Sequence, residues 1–192
     1  MKIETFRQLR EVITSDALRY DGGVNLSSFF KLYFFTVGFR YSFWLRVCRY
    51  LAEKKIQKPL FFISYLYLRH MSYKSGIQIP YMTQIGRGFY IGHFGTIIVN
   101  GSAKIGNNVN ISPCVIIGQT NRGQREGVPT VGNGVYIGPG AKIIGKVIIG
   151  NNVAIGAGSV VTKDVPDNAC VVGVPAKIIS YDGAVGYVMN KV

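Results

Sequence analysis

From Ile105 onward an aliphatic residue returns at every sixth position. Ile111 and Ile117 fill the slot, and after a gap so do Val131, Ile137, Ile143, Ile149, Ile155 and Val161. Glycine follows the slot at Gly106, Gly118, Gly132, Gly138, Gly150 and Gly156. Four positions past the slot stands a small or branched residue: Val109, Val115, Val135, Ala141, Val147, Val153, Ser159 and Val165. A period of six over this length predicts a solenoid, in which each rung buries its aliphatic row against the rungs beside it. An ordinary antiparallel β protein would alternate its Val and Ile residues but would not space glycines by six.

The pattern predicts a left-handed parallel β-helix, mainly β, in which six residues make one flat side of a triangular prism and three sides make a turn. The aliphatic residue points inward. Glycine suits corners that a Cβ would resist, and Asn107-Asn108 and Asn151-Asn152 fit the same corners because Asn tolerates left-handed angles. Ile85-Gly86 and Ile91-Gly92 carry the repeat upstream. A slip of two near Ile97 and Val99 predicts a small bulge or loop. The coil is expected from about Ile77 to about Val174. Between Ile117 and Val131 eight residues are extra. The polar insertion Gln119 to Pro129 is expected to leave the prism as a loop, a usual place for binding groups; a tolerated surface insertion is the alternative.

Residues 1–75 read differently. Ile3 to Leu18 is expected to be a helix broken by Asp21-Gly22-Gly23. A second helix is expected from about Ser28 to Lys55, and a third starts near Pro59 and ends at Gly76. The later two are aromatic (Phe29, Phe30, Tyr33, Phe34, Phe35, Phe39, Tyr41, Phe43, Trp44, Phe61, Phe62, Tyr65, Tyr67 and Tyr73) with basic residues between them. The organisation expected is a helical region at 1–75, a coil at 76–179 carrying loop 119–129, and a tail at 180–192. The helices are expected to cap the open end of the coil and to pack on neighbouring subunits.

The formal net charge is +13. Aromatic helices with interleaved cations suit an anionic membrane surface. Nucleic acid would use the same residue types, but no nucleic-acid motif accompanies them, so it is not an expected partner. Cys48, Cys114 and Cys170 are three and far apart, which argues against a disulfide framework and suits a reducing, cytoplasmic compartment. Charges at Lys2, Glu4, Arg7 and Arg10 argue against a signal peptide. The uncharged stretch from Pro59 to Leu68 is about half of a membrane span.

Only His70 and His93 are histidines. This count excludes a zinc centre of three imidazoles, such as the carbonic anhydrases of the same coil use, and no metal is expected. His93 lies at a corner in Ile91-Gly92-His93-Phe94-Gly95. A neutral imidazole there can take a proton from a hydroxyl as its oxygen attacks a carbonyl. Cys114, within Ile111-Ser112-Pro113-Cys114-Val115, is expected to be coil packing rather than a nucleophile.

The stretches 92–100, 156–166 and 172–178, with the coil and its loop, resemble the serine acetyltransferase branch of the hexapeptide acyltransferases over residues 77 to 179. The helical start is more similar to bacterial capsule and exopolysaccharide O-acetyltransferases of the colanic acid type. The resemblance implies a homotrimer with acetyl-CoA between coils of adjacent subunits. His93 then falls on the catalytic base and Thr120 on a cofactor-contacting threonine. Gly138 and Ala157, with Gly140 and Gly156 beside them, fall along the pantetheine arm, and Lys163 and Lys177 near the CoA phosphates. Asn121, Arg122, Arg125 and Glu126 of the loop are the acceptor candidates.

Departures from that branch shape the expected acceptor. Its acidic residue before the histidine is Gly92 here, a second acidic position is Gln78, and its serine-binding Arg-His pair is Gly127-Val128. Pro139 replaces a residue that usually offers the cofactor an N–H, so that contact is lost or shifts to Gly138 or Gly140. A backbone carbonyl or Glu126 is left to orient His93. The expected acceptor is a saccharide hydroxyl, lipid-linked or free, reached at the inner face of the cytoplasmic membrane. Serine acetylation and an inactive membrane-associated trimeric scaffold are the alternatives.

Overall fold

The computed structural model describes residues 3–54 and 57–192. Helices α1 (Phe6–Asp21), α2 (Leu26–Phe35), α3 (Val37–Leu51) and α4 (Lys58–Ser75) come first, and fifteen short strands follow from Ile77. The strands build three faces, each collecting every third strand in parallel register. Face one stacks β1 (Ile77–Gln78), β4 (Ile97–Val99), β7 (Ile116–Gly118), β10 (Lys142–Ile144) and β13 (Val160–Val161). Face two stacks β2 (Gln84–Ile85), β5 (Lys104–Ile105), β8 (Thr130–Val131) and β11 (Ile148–Ile149). Face three stacks β3 (Tyr90–Ile91), β6 (Asn110–Ile111), β9 (Tyr136–Ile137), β12 (Ala154–Ile155) and β14 (Cys170–Val172), and β15 (Lys177–Ser180) closes it antiparallel. This is the left-handed β-helix with helices at its N-terminal end.

The six-residue slot is the interior. Ile85, Ile91, Ile111, Ile117, Ile137, Ile143, Ile149 and Ile155 are all buried, with Val109, Val115, Val135 and Val153 between them. Burying each such side chain contributes about 1.5–3 kcal/mol. Asn108 and Asn152 take left-handed angles at corners, with φ of 55° and 54°. The expected slip at Ile97 is met without a loop. Both Ile97 and Val99 point inward, with Ile97 paired to Ile77 and Val99 to Ile117, so the two extra residues extend one face. A shortening that the repeat did not reveal follows Val161, where Val165 bridges back to Ile149 and Val171 pairs with Ile155.

The helical expectations need three corrections. Helix α1 starts at Phe6 rather than Ile3, because Thr5 and Gln8 form a reciprocal capping box, and it runs on to Asp21, where Gly22 caps it at φ 66°. The expected helix from Ser28 to Lys55 is two helices and stops at Leu51; Lys55 lies outside the described residues. Thr36 is extended at φ −110° and ψ 103°, and the chain turns there. The turn lets α3 lie on the first rung through Gly38, where a Cβ would collide with the Ile91 carbonyl. Gly76 ends α4 as expected, at φ 73°.

The first rung of a parallel coil has no strand beneath it, so its backbone groups need other partners. Helix side chains supply them. The Tyr41 hydroxyl accepts from Ile79 N at 3.0 Å and lies 3.2 Å from Ile79 O. Arg46 donates to Ile85 O at 2.9 Å and Gly86 O at 2.5 Å, and holds Asp16 in a buried two-pronged pair at 2.9 and 3.1 Å. Asp16 accepts from Phe89 N, and the Ser15 hydroxyl from Gly88 N. Replacing Asp16 by Ala strands the buried Arg46 charge and is expected to cost about 3–5 kcal/mol in denaturant unfolding. Replacing Tyr41 by Phe leaves the Ile79 amide unpaired and is expected to cost about 1–3 kcal/mol.

Candidate active site

The three edges of the prism carry different chemistry. Along the edge between faces two and three, side-chain amides stack as a ladder. Asn107 accepts from Arg87 N, Asn133 from Asn107 N, Asn151 from Asn133 N, and Asp167 from Asn151 N. This edge is spent on holding the coil together.

The edge between faces three and one starts at His93, just after β3. Strand register stacks Pro113, Pro139, Ala157 and Gly173 above it on successive turns. Rungs about 4.8 Å apart make this a narrow track of small residues rising from the imidazole. Gly138, Gly140, Gly156 and Ala157 all lie on it. The N–H groups of Gly138 and Gly140 are already given to Ile155 O at 2.8 Å and Pro113 O at 2.9 Å, which removes them as the replacement donors expected beside Pro139. Gly156 N is likewise given to Val171 O. Ala157 is exposed, and its N–H has no acceptor among the described residues. Lys177, on β15, stands exposed at the top of face three.

The remaining candidates occupy the edge between faces one and two. Thr120 and Gly127 exchange backbone bonds of 3.0 and 2.9 Å and close the neck of the loop. Arg125 pairs with Asp164 at 2.7 Å, and that bond holds the Asp164 carboxyl below its ordinary range. Arg125 and Glu126 line a hollow of about 660 Å³ with Lys104, Lys146 and Asp164. Asn121 bonds Gln119, Arg122 is exposed, and Lys163 is exposed at the same edge. Within one chain, then, Thr120, Asn121, Arg122, Arg125, Glu126 and Lys163 do not meet His93. Glu126 opens on the other hollow, so the chain does not use it to orient its own imidazole.

His93 is exposed and opens on a cavity of about 480 Å³. Its walls include Arg19, Tyr20, Tyr90, Ser112, Tyr136 and Tyr187. Tyr20, at the end of α1, holds the strand that leads into His93: its hydroxyl donates to Ile91 O at 3.0 Å and accepts from Ile91 N at 3.2 Å. Burial pushes that phenol above its ordinary range, so it stays neutral. Buried Arg19 donates to Gly88 O, Asn110 Oδ1 and Met189 O, tying α1, face three and the C-terminal segment together. That segment descends face three, with Tyr187 stacked on Tyr136 at 4.5 Å and Val192 bonded to Asn108. The hexapeptide period gave no sign of this wall; only the outward column Tyr90, Asn110, Tyr136 was visible in it. Cys114, expected inside the coil, is exposed at a corner with φ 61°. Among the described residues no cluster of three metal-ligating side chains occurs.

This prism and this edge define a class, and the comparisons identify it. A model described as "Bacterial transferase hexapeptide (six repeats)" matches residues 129–163. A serine acetyltransferase of Helicobacter pylori is 34% identical over 136 residues, covering 71% of this chain and 80% of that one. One from Bacillus subtilis is 33% identical over 69% of this chain. The crystal structure of serine acetyltransferase from Brucella abortus has a TM-score of 0.72 at 31% identity and covers 91% of this chain and 68% of that one. The same enzyme in complex with coenzyme A gives a TM-score of 0.71 at 30% identity. The chain belongs to the hexapeptide-repeat acyltransferase family. The relatives found are serine acetyltransferases rather than the capsule and exopolysaccharide enzymes that the helical start suggested. The chain spans 61% of the length of the Bacillus subtilis relative.

Replacing Arg19 by Met keeps its apolar stem and removes its donors. The expected result is a loss of about 3 kcal/mol of stability and faster amide exchange over residues 187–192, read by mass spectrometry.

Proposed function

We propose that this chain is an acetyl-CoA-dependent O-acetyltransferase with His93 as its general base. The observation that carries the reading is the edge itself: an exposed imidazole at the foot of a track of small residues, with the free Ala157 N–H three turns above. The acceptor hydroxyl gives its proton to His93 as its oxygen attacks the thioester carbonyl; the tetrahedral intermediate collapses, His93 returns the proton to the sulfur, and CoA leaves as the thiol. Kinship with a serine acetyltransferase solved with coenzyme A supports acetyl-CoA as the donor.

One chain carries half of such a site. His93 and the glycine track lie on one edge, and Thr120, the polar loop and Lys163 on another. A homotrimer that sets the loop edge of one coil against the His93 edge of the next assembles both halves, with Lys163 and Lys177 toward the CoA phosphates.

For the acceptor, the cavity favours a saccharide hydroxyl of a surface polysaccharide. Its described walls hold tyrosine rings, amides and Arg19 but no carboxylate. A neutral sugar ring can stack on such faces, whereas these walls offer the ammonium of serine no anionic partner. Serine is the second reading, favoured by the names of the relatives. The exposed faces of α2 and α4 add a place of action. Phe30, Phe34, Phe35, Phe62, Ile63 and Leu66 project outward among Lys31, Lys58, Arg69 and Lys74, and neither helix holds an acidic residue. No helix among the described residues is long and apolar enough to cross a membrane. An anionic inner leaflet is the surface this arrangement fits, and three copies in a trimer would add their contacts.

Replacing His93 by Ala is expected to lower turnover by about 10²–10⁴-fold while acetyl-CoA still binds, measured by thiol release and calorimetry. Unchanged turnover would remove His93 from the mechanism. In the same assay, sugar acceptors are expected to release CoA faster than serine does; the reverse order would make serine the acceptor. Binding to anionic vesicles at low ionic strength, lost in high salt, is expected from the helical face; no binding to such vesicles would leave the helices with their capping role alone.

A further inference from the structure

We propose that Tyr90 is the positioning residue for His93, an inference that rests on His93 being the base. A base that must lose and regain a proton at one nitrogen is held in tautomer and direction by a hydrogen bond at the other. Within the described chain the His93 imidazole makes no hydrogen bond, and the residue before it is Gly92, which has no side chain to offer. The space beside Gly92 is filled instead by Tyr90. A Cβ built on Gly92 would lie 3.2 Å from Tyr90 Cε1 and 3.6 Å from its hydroxyl oxygen. The phenol therefore lies along the backbone one residue before the imidazole, where a side chain at position 92 would run, and it lines the same cavity as His93.

The ring is held there. Tyr20 packs on it at 4.5 Å between centroids, and the Arg19 guanidinium stands 5.9 Å from its centre. Tyr20 itself is pinned by its two bonds to Ile91. The Tyr90 hydroxyl has no hydrogen-bond partner among the described residues, so it is free to accept the N–H of an imidazole that turns toward it. Ser112, which also lines the cavity, offers the competing hydroxyl. Glycine at 92 leaves that place to the phenol: a Cβ there would press on the ring edge at 3.2 Å.

The test uses the full chain with acetyl-CoA and, as acceptors, free hexoses and serine. Replacing Tyr90 by Phe keeps the ring and its packing and removes only the oxygen. The expected result is a fall in kcat of about ten- to a hundredfold, with KM for acetyl-CoA unchanged. Replacing Ser112 by Ala is expected to lower kcat by less than Tyr90→Phe does. Replacing Tyr90 by Ala opens the space, so adding Gly92→Asp to that variant is expected to restore part of the lost kcat. Unchanged kcat in Tyr90→Phe overturns the inference, as does an equal loss in Ser112→Ala or a double variant no better than Tyr90→Ala. His93→Ala, run beside them, separates the two levels: if it stays active, the proposed mechanism fails, and if it is dead while Tyr90→Phe is normal, only the role of Tyr90 fails.

Discussion

The structure depends on how the open end of a parallel coil is satisfied. Every inner rung lends its N–H and C=O groups to the rungs on either side, and the first rung has no neighbour below. Unpaired, each of those buried groups would cost about 1–3 kcal/mol, and an open parallel edge invites pairing with another chain. Here Tyr41, Arg46, Asp16, Ser15, Arg19 and Tyr20 reach down from α1 and α3 and meet those groups one by one. The polar residues buried between helices and coil are therefore not defects of the core. They are the substitute for a missing strand, and Arg46 with Asp16 shows the condition for it: two buried charges are tolerated because each also bonds the backbone.

One backbone repeat makes three edges of unlike character because only the corners vary. Where the corners are Asn, amides stack into a ladder and the edge is structural. Where a corner is lengthened by residues 119–129, the chain gains charge and a hollow. Where the corners are Gly, Pro and Ala, little side chain protrudes, and the edge leaves a track that begins at His93. A rigid prism fixes the spacing along each edge at one rung per turn, so groups placed on one edge are aligned without further help.

The period of six made the prism, its interior rows and the excursion of loop 119–129 legible, because burial at every sixth position leaves a mark that no other packing reproduces. His93 was legible as a corner residue for the same reason. What the sequence hid was set by contacts distant along the chain. The break at Thr36 follows from Gly38 meeting Ile91, and nothing local in an aromatic helix announces that meeting. The shortening after Val161 leaves the aliphatic spacing nearly intact. The wall made by Tyr187 and Met189 depends on Arg19, some 170 residues away. An N–H contact from Gly138 or Gly140 was not to be read from the sequence either way, because a corner glycine's amide can serve the coil, as both do here.

The net charge of +13 reads differently once the cations are placed. Arg46 is buried against Asp16, and Arg19 is buried against carbonyl and amide oxygens. Neither offers charge to a distant surface. Among the exposed cations, Lys31, Lys58, Arg69 and Lys74 stand on the two helices whose outward faces are apolar. The basic character of the helical region thus divides by depth. Its inner cations close the coil and shape the cavity at His93, and those on α2 and α4 sit where aromatic rings lack cover. A change in α1 or α3 therefore reaches the imidazole through the first rung, while a change on the outer faces of α2 or α4 leaves that rung untouched. The helices and the coil form one site-bearing unit at their junction and separate in role only at the outer surface.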